Sequence, residues 1–292
     1  MGNLKEIRSR ITSVKSTRQI TSAMKMVSAA KLKKAQDAVI NLRPYSHKLH
    51  FILKDISQTI EGEIENIFAR TDEPEKILIV AVTSNKGLCG AFNANVIKQV
   101  VNLISIDFAG EFAEGKGSII SFGKKGTEYF NSKNYPVLFS NNHLIDQLSY
   151  EKALPYIEQI MNLYITKKID KIVLVYNKFK NAGVQVLTVD NFLPIEITKQ
   201  EVTEEHFDYI FEPSKEYIVK ELIPRSLRLQ LFEALLDSLA AEHGARMTAM
   251  HKATDNASEM IKSLQLNYNK ARQASITGEI LEIVGGAEAL KK

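Results

Sequence analysis

The feature that most constrains this chain is a stretch near its C-terminus in which steps of three and four residues never meet a charge. From Met247 the walk lands on Met250, Thr254, Ala257, Ile261, Leu264, Tyr268, Ala271, Ser275 and Gly278; backward it reaches His243, Ala240 and Leu236. Such spacing is the seam of a helix packed along another helix. Large residues alternate along it with Ala, Thr, Ser and Gly, so a partner can come close at the small positions while the large ones fill the remaining space. An unbroken helix over residues 225–284 would extend roughly 90 Å at about 1.5 Å per residue. That length exceeds the diameter of a compact domain, so part of it is expected to project as a rod.

The matching partner lies at the other end of the chain. Residues 3–58 contain no Gly and a single Pro, and their apolar positions fall at helical spacing. Asn3 followed by Glu6 reads as an N-terminal cap. The seam Leu4, Ile7, Ile11, Val14 gives way to Arg18, Thr21, Lys25 and Ser28, then resumes with Leu32, Ala35, Val39 and Leu42. In the interruption the apolar residues move to Ile20, Met24 and Val27, the pattern of a stutter in a coiled coil. Pro44 is expected to bend or interrupt the helix. Because the two helices stand at opposite ends of the sequence, an antiparallel coiled coil is the economical arrangement.

Between them the chain alternates strand and helix patterns. Residues 77–83 form a near-continuous β-rich apolar run, typical of a strand buried on both faces, followed by a Gly-containing loop and a helix beginning near Ala91. Residues 118–122, 137–140, 171–176 and 184–189 supply further strands, with helices near 124–131 and 150–164. The expected fold class is therefore α/β: a long antiparallel coiled coil of the terminal helices plus a central, open, mainly parallel, Rossmann-like domain, ending in a hairpin through Asn181, Ala182 and Gly183. The expected division is residues 1–58, 75–195 and 214–292.

Chemistry is harder to find. The loop at residues 84–90 follows a strand and precedes a helix, where α/β proteins often hold phosphate, but it lacks both the three-glycine dinucleotide spacing and the terminal Gly-Lys-Ser/Thr of a P-loop. It reads as a tight structural turn. Residues 110–117 approach P-loop spacing, yet Gly117 stands where a hydroxyl should hold magnesium and the segment leads into a strand. Six histidines, His47, His50, His143, His206, His243 and His251, show no metal-ligand spacing, and the single cysteine, Cys89, has neither a disulfide partner nor a second thiol for zinc. No catalytic residue, cofactor or metal is expected. No apolar run approaches the roughly 20 residues that cross a bilayer, and the N-terminus carries no secretory or transit pattern.

Charge is uneven. The first 54 residues carry twelve Lys and Arg against two acids, so about +10 of charge sits there and about −6 on the remainder. A basic arm of this kind faces an acidic partner or is a solvated helix face. Nucleic acid is not the expected partner, because the cations are spread around the helix without an aromatic stacking platform.

The ends and several points between them resemble the ATP synthase gamma family. The resemblance is carried by residues 5–11 (KEIRSRI), 20–29 (ITSAMKMVSA), 245–247 (ARM), 253–257 (ATDNA) and 268–277 (YNKARQASIT). Residues 43–45 (RPY), 87–90 (GLCG) and 208–213 (DYIFEP) add further landmarks. Asn85-Lys86 departs from the commoner Asp-Arg, and Gly278 occupies a variable position.

This resemblance implies a shaft of two terminal helices inside a ring of three alpha and three beta subunits, with the α/β domain set against the membrane rotor. It implies alpha, beta, epsilon and c-ring partners, and the N-terminus without a transit pattern makes the cytoplasmic face of a bacterial inner membrane the expected place. It places Arg272, Gln273 and Thr277 against beta-subunit loops and Met24, Lys25 and Arg246 at or near the torque-bearing face. Tyr209 and Glu212 would meet the membrane ring near Arg43 and Tyr45, and residues 280–284 would seat the shaft tip in an apolar bearing. The alternative is a non-catalytic coiled-coil scaffold carrying an α/β module, which would form no ATPase assembly.

Overall fold

The computed structural model describes residues 2–59, 68, 73–195, 212 and 215–289. Helix α1 spans Gly2–Thr59 and helix α6 spans Lys215–Ala289. Between them lie β1 (Ile77–Val82), α2 (Phe92–Asn102), α3 (Ala109–Ala113), β2 (Gly117–Phe122), α4 (Lys124–Ser132), β3 (Val137–Asn141), α5 (Tyr150–Ile165), β4 (Lys171–Asn181) and β5 (Val184–Leu193). A π-helical turn, Leu103–Asp107, and a 3₁₀ turn, Leu144–Gln147, are two short elements that apolar periodicity does not reveal. The chain divides into two compact units: Met1–Ser28 with Met247–Lys292, and Ala29–Arg246.

In the second unit the sheet order is β3-β2-β1-β4-β5, with β1 parallel to both β2 and β4, β2 parallel to β3, and β4 antiparallel to β5. The hairpin turns through Ala182 and Gly183, as its sequence leads one to expect. All six residues of β1 are buried, which is why that strand reads as a continuous apolar run without alternation. Ile77, Ile79 and Ala81 face Val96 and Val100 of α2 and Phe130 of α4. The opposite face receives α5: Phe139 packs edge-on to Phe122 and against Tyr156 of α5. From there Tyr150 meets Phe232 of α6 edge to face, and Glu158 pairs with Arg228 at 3.4 Å. Within this unit α1 and α6 run antiparallel, because Arg43 bonds Asp237 while Ser46, farther along α1, bonds Glu233, farther back along α6.

In the first unit the α6 seam is the one its spacing predicts. Met250, Ala257 and Ile261 are buried, and Met247, Thr254, Leu264, Tyr268, Ala271, Ser275 and Gly278 are half-buried. On α1 the expected stutter is absent. Thr21 and Ser28 are buried at 9% and 3% exposure, whereas Ile20 and Val27 are 60% and 58% exposed, so the original register runs straight through the polar stretch. Close approach explains the choice: the Thr21 hydroxyl donates to the Arg18 carbonyl at 3.0 Å and lies 2.8 Å from the Thr254 hydroxyl of α6. A small residue whose hydroxyl is partnered, as that of Thr21 is, costs little to bury. Thr254→Val should therefore lower the thermal stability of the chain by about 1 kcal/mol, the net worth of one buried hydrogen bond. An unchanged melting temperature would refute the contact.

Two further expectations change. Helix α1 continues through Pro44 without interruption. Anchors on both sides hold it: buried Val39 and Leu49, the Arg43–Asp237 ion pair and the Ser46–Glu233 hydrogen bond. The helix also begins at Gly2, so Asn3 lies inside its first turn rather than ahead of it, and the Asn3 side chain falls outside the described residues.

Candidate functional site

The residues singled out by resemblance separate into an exposed set and a set engaged within the chain. Arg272, Gln273 and Thr277 are exposed on α6, while Met24 and Lys25 are half-buried on α1. Gln273 and Thr277 stand one helical turn apart and so share a face, with Arg272 one residue to the side. Past them Ile280, Leu281, Ile283 and Val284 are 53–71% exposed. An apolar end of this kind, beside polar side chains, can recognise another protein. Among the described residues no group of histidine, cysteine and carboxylate side chains is arranged to hold a metal ion. No helix is long and apolar enough to cross a membrane.

Arg246 is different: it is 7% exposed and fully occupied. Its guanidinium donates to the Lys86 carbonyl at 2.7 Å, the Gly87 carbonyl at 3.2 Å and the Glu242 carboxylate at 2.6 Å. The 84–90 loop is thus held by its carbonyls. A phosphate cradle would aim amide N–H groups inward; here the inward groups accept from a cation, in keeping with a structural turn. The loop is braced at its other points. The Asn93 carboxamide accepts from the Ser84 amide at 2.9 Å and donates to the Ser84 hydroxyl at 2.8 Å. Asn85 donates to the Asn142 carbonyl and accepts from the Lys124 amide at 3.0 Å.

Burial dominates the electrostatics here. It raises the Glu242 carboxyl above its ordinary value, although Arg246 pulls it back. Burial, with the cations Arg246 and Lys31, lowers His243 to about 4, so the imidazole is neutral at physiological pH. Burial also raises the Cys89 thiol against the lowering hydrogen bond from Ser84, leaving a thiol rather than a reactive thiolate. Sequence alone does not single out Glu242 and His243 as partners of Arg246. The one signal the sequence holds is the Glu242/Arg246 spacing of one helical turn.

Arg43 is half-buried and donates to Asp237 at 3.0 Å and to the Phe179 carbonyl at 3.2 Å, joining α1, α6 and β4. Tyr45 is 44% exposed and receives the Arg225 guanidinium over its ring at 5.6 Å. Glu212 is exposed, and Tyr209 lies outside the described residues.

Comparison with known proteins gives a consistent result. A family described as ATP synthase matches residues 3–290. The ATP synthase gamma chain of Christiangramia forsetii is 56% identical over 290 residues, covering 99% of both chains. That of Flavobacterium johnsoniae is 54% identical, with 99% of both chains covered. Among solved structures, a chain of the Euglena gracilis mitochondrial ATP synthase aligns with a TM-score of 0.73 at 24% identity, over 99% of this chain and 95% of that one. A chain of the Tetrahymena thermophila mitochondrial ATP synthase central stalk and c-ring aligns with a TM-score of 0.59 at 26% identity, over 80% of this chain and 99% of that one.

Proposed function

The chain belongs to the family of ATP synthase gamma chains, and from that premise we propose that it is the central rotor shaft, coupling ion-driven rotation of a membrane ring to ATP synthesis and hydrolysis on beta subunits. The observation that carries the proposal is the end-to-end relation to gamma chains, which leaves no part of the matched length for an unrelated module. The physical reading supports it. A shaft works by offering different faces to chemically equal sites, so that each site is biased toward a different conformation by differential contact. It needs no catalytic group of its own, and this chain is assigned none.

In this reading residues 1–58 and 214–292 form the shaft and residues 75–195 the accompanying domain. Arg272, Gln273 and Thr277 reach loops of the alpha/beta ring, with Met24, Lys25 and Arg246 at or near the face that bears torque. Arg43, Tyr45, Tyr209 and Glu212 belong to the end that meets the c-ring, and the epsilon subunit is a further partner. The chain acts as a peripheral subunit at the cytoplasmic face of a bacterial inner membrane. Contacts to the ring must each be weak, since deep minima would stall rotation, and exposed ion pairs of at most about 1 kcal/mol meet that need. The basic face of α1, with exposed Lys31, Lys33 and Lys34, can supply several.

The test is reconstitution with alpha and beta subunits, with rotation of a bead on the chain observed during ATP hydrolysis. Absence of an ATPase assembly would leave the scaffold reading in its place. Within the assembly, Gln273→Ala should lower steady-state hydrolysis about two- to tenfold, equivalent to at most about 1.4 kcal/mol at the barrier. The isolated chain should bind nucleotide no differently from wild type. Full activity in the variant would remove Gln273 from the contact set.

A further inference from the structure

A cavity of about 250 Å³ opens within the Ala29–Arg246 unit, enclosed by α1, the 84–90 loop, the Leu144–Gln147 turn and α6. Its size falls just below the roughly 300–1,000 Å³ typical of drug-sized ligands, so a small molecule is the fitting occupant. Its walls are chemically divided. Ala35, Ala38, Ile145, Leu148, Leu236 and Leu239 form an apolar lining, whereas Lys31, Lys34 and Lys86 supply cations. Of the acids on the wall, Glu242 is already neutralised by Arg246 at 2.6 Å, leaving only Asp146 against the three lysines. The uncompensated charge facing the space is positive.

His243 makes the preference sharper. Its side chain lines the cavity and the residue is 8% exposed. Arg246 Nη1 stands 3.5 Å from His243 Nδ1, and a guanidinium can only donate, so Nδ1 accepts and the ring proton resides on Nε2. Among the described residues no protein group accepts from that Nε2–H. As a cavity-lining group with no protein acceptor, this N–H is open to an acceptor that enters the space. Donor, cations and apolar lining therefore converge on one kind of ligand.

We propose that this cavity is a binding site for a small amphipathic monoanion: a carboxylate head accepting from His243 Nε2–H beside the three lysines, and a short aliphatic tail against Ala38, Ile145 and Leu239. The site is independent of the exposed contact residues of α6 and requires no nucleotide chemistry.

The test is isothermal titration of the full-length chain with sodium octanoate, octan-1-ol and octylammonium chloride, accompanied by saturation-transfer NMR. Octanoate is expected to saturate a single site per chain, and the alcohol and the ammonium to bind at least about tenfold more weakly, the order of effect lost with one charge-assisted hydrogen bond. His243→Phe keeps the ring and deletes the donor, and should raise the octanoate Kd about tenfold. The double variant Lys31→Gln, Lys34→Gln alters only exposed side chains and should weaken binding comparably; it serves even if His243→Phe fails to fold. Three results would overturn the proposal: no octanoate binding, equal affinity for octanoate and octan-1-ol, or non-saturating binding indifferent to all variants, which would place the ligand on exposed apolar helix faces.

Discussion

Gly123→Ala is expected to destabilise the chain by about 4 kcal/mol, a large share of the 5–15 kcal/mol that holds an ordinary domain together. Gly123 follows β2 and precedes α4 with φ 99° and ψ 140°, a backbone state open to little besides glycine. A Cβ there would overlap the Thr83 carbonyl oxygen, stand 2.6 Å from its carbon and 2.8 Å from Thr83 Oγ1. Thr83 cannot withdraw. Its amide donates to the Phe122 carbonyl at 2.8 Å, and its hydroxyl accepts from the Gly126 amide at 2.9 Å. Backbone strain and steric overlap each cost about 1–3 kcal/mol, and no neighbouring flexible tail can absorb them. Gly87→Ala is the matched control: an added Cβ meets nothing within 4 Å, and less than about 1 kcal/mol should be lost. Urea unfolding followed by far-UV circular dichroism compares the two. Equal midpoints would show that the Thr83–Gly123 contact, where β1 and β2 end side by side, is far looser than its hydrogen bonds imply.

The second large effect concerns pH. Asp237 is 1% exposed and paired with Arg43 at 3.0 Å, yet its carboxyl is raised from 3.8 to about 6. Burial is the leading cause. The attraction of Arg43 and Lys178 opposes it, and Glu233 adds to it. This is an ion pair in which desolvation exceeds Coulombic gain. Between the two values the folded state binds more protons than the unfolded state, so the contribution of Asp237 to stability is fully present below about 3.8 and is lost as pH rises through about 6. The difference corresponds to about 3 kcal/mol. Asp237→Asn cannot titrate, so its stability relative to wild type should improve by about that amount between pH 4 and pH 7. A constant difference across that range would mean that Arg43 neutralises Asp237 completely. Arg43→Ala should push the carboxyl higher still and extend the sloping region upward, because the largest opposing charge is gone.

Both effects lie in the unit that joins the sheet to α6, and they bear on how a rotor subunit can be built. Arg43 links three elements, α1, α6 and β4, through one side chain, while Arg246 fastens the post-β1 loop to α6 through carbonyl groups. Such ties are made of directional bonds in buried surroundings. The residues assigned to partner contact, Arg272, Gln273 and Thr277, are instead exposed. Firm internal bonds with weak external ones are what transmitting twist without sticking requires.

Much of this molecule is legible in its sequence. The charge-free spacing from Met247 to Gly278 names the buried face of α6 residue by residue, since a helix that packs along its length must repeat its contact every three to four positions. The continuous apolar run of β1 identifies a central strand, and Asn181-Ala182-Gly183 marks the hairpin. The family landmarks are local motifs and so are visible in a linear string. Sequence also foresees that the 84–90 loop is a turn, although not that Arg246 holds it.

What only the tertiary structure decides is which of two plausible faces is buried, and whether a local signal is overruled. In the middle of α1 hydropathy favours Ile20 and Val27, but Thr21 and Ser28 are the buried residues, and for Thr21 the Thr254 hydroxyl supplies a partner from 233 positions away. Pro44 ought to break a helix by local sterics, and long-range anchors at Arg43 and Ser46 carry the helix past it. Periodicity records what each residue prefers among its near neighbours. Burial of a polar group is settled by a partner distant in sequence, and nothing in the linear string says which one will be there.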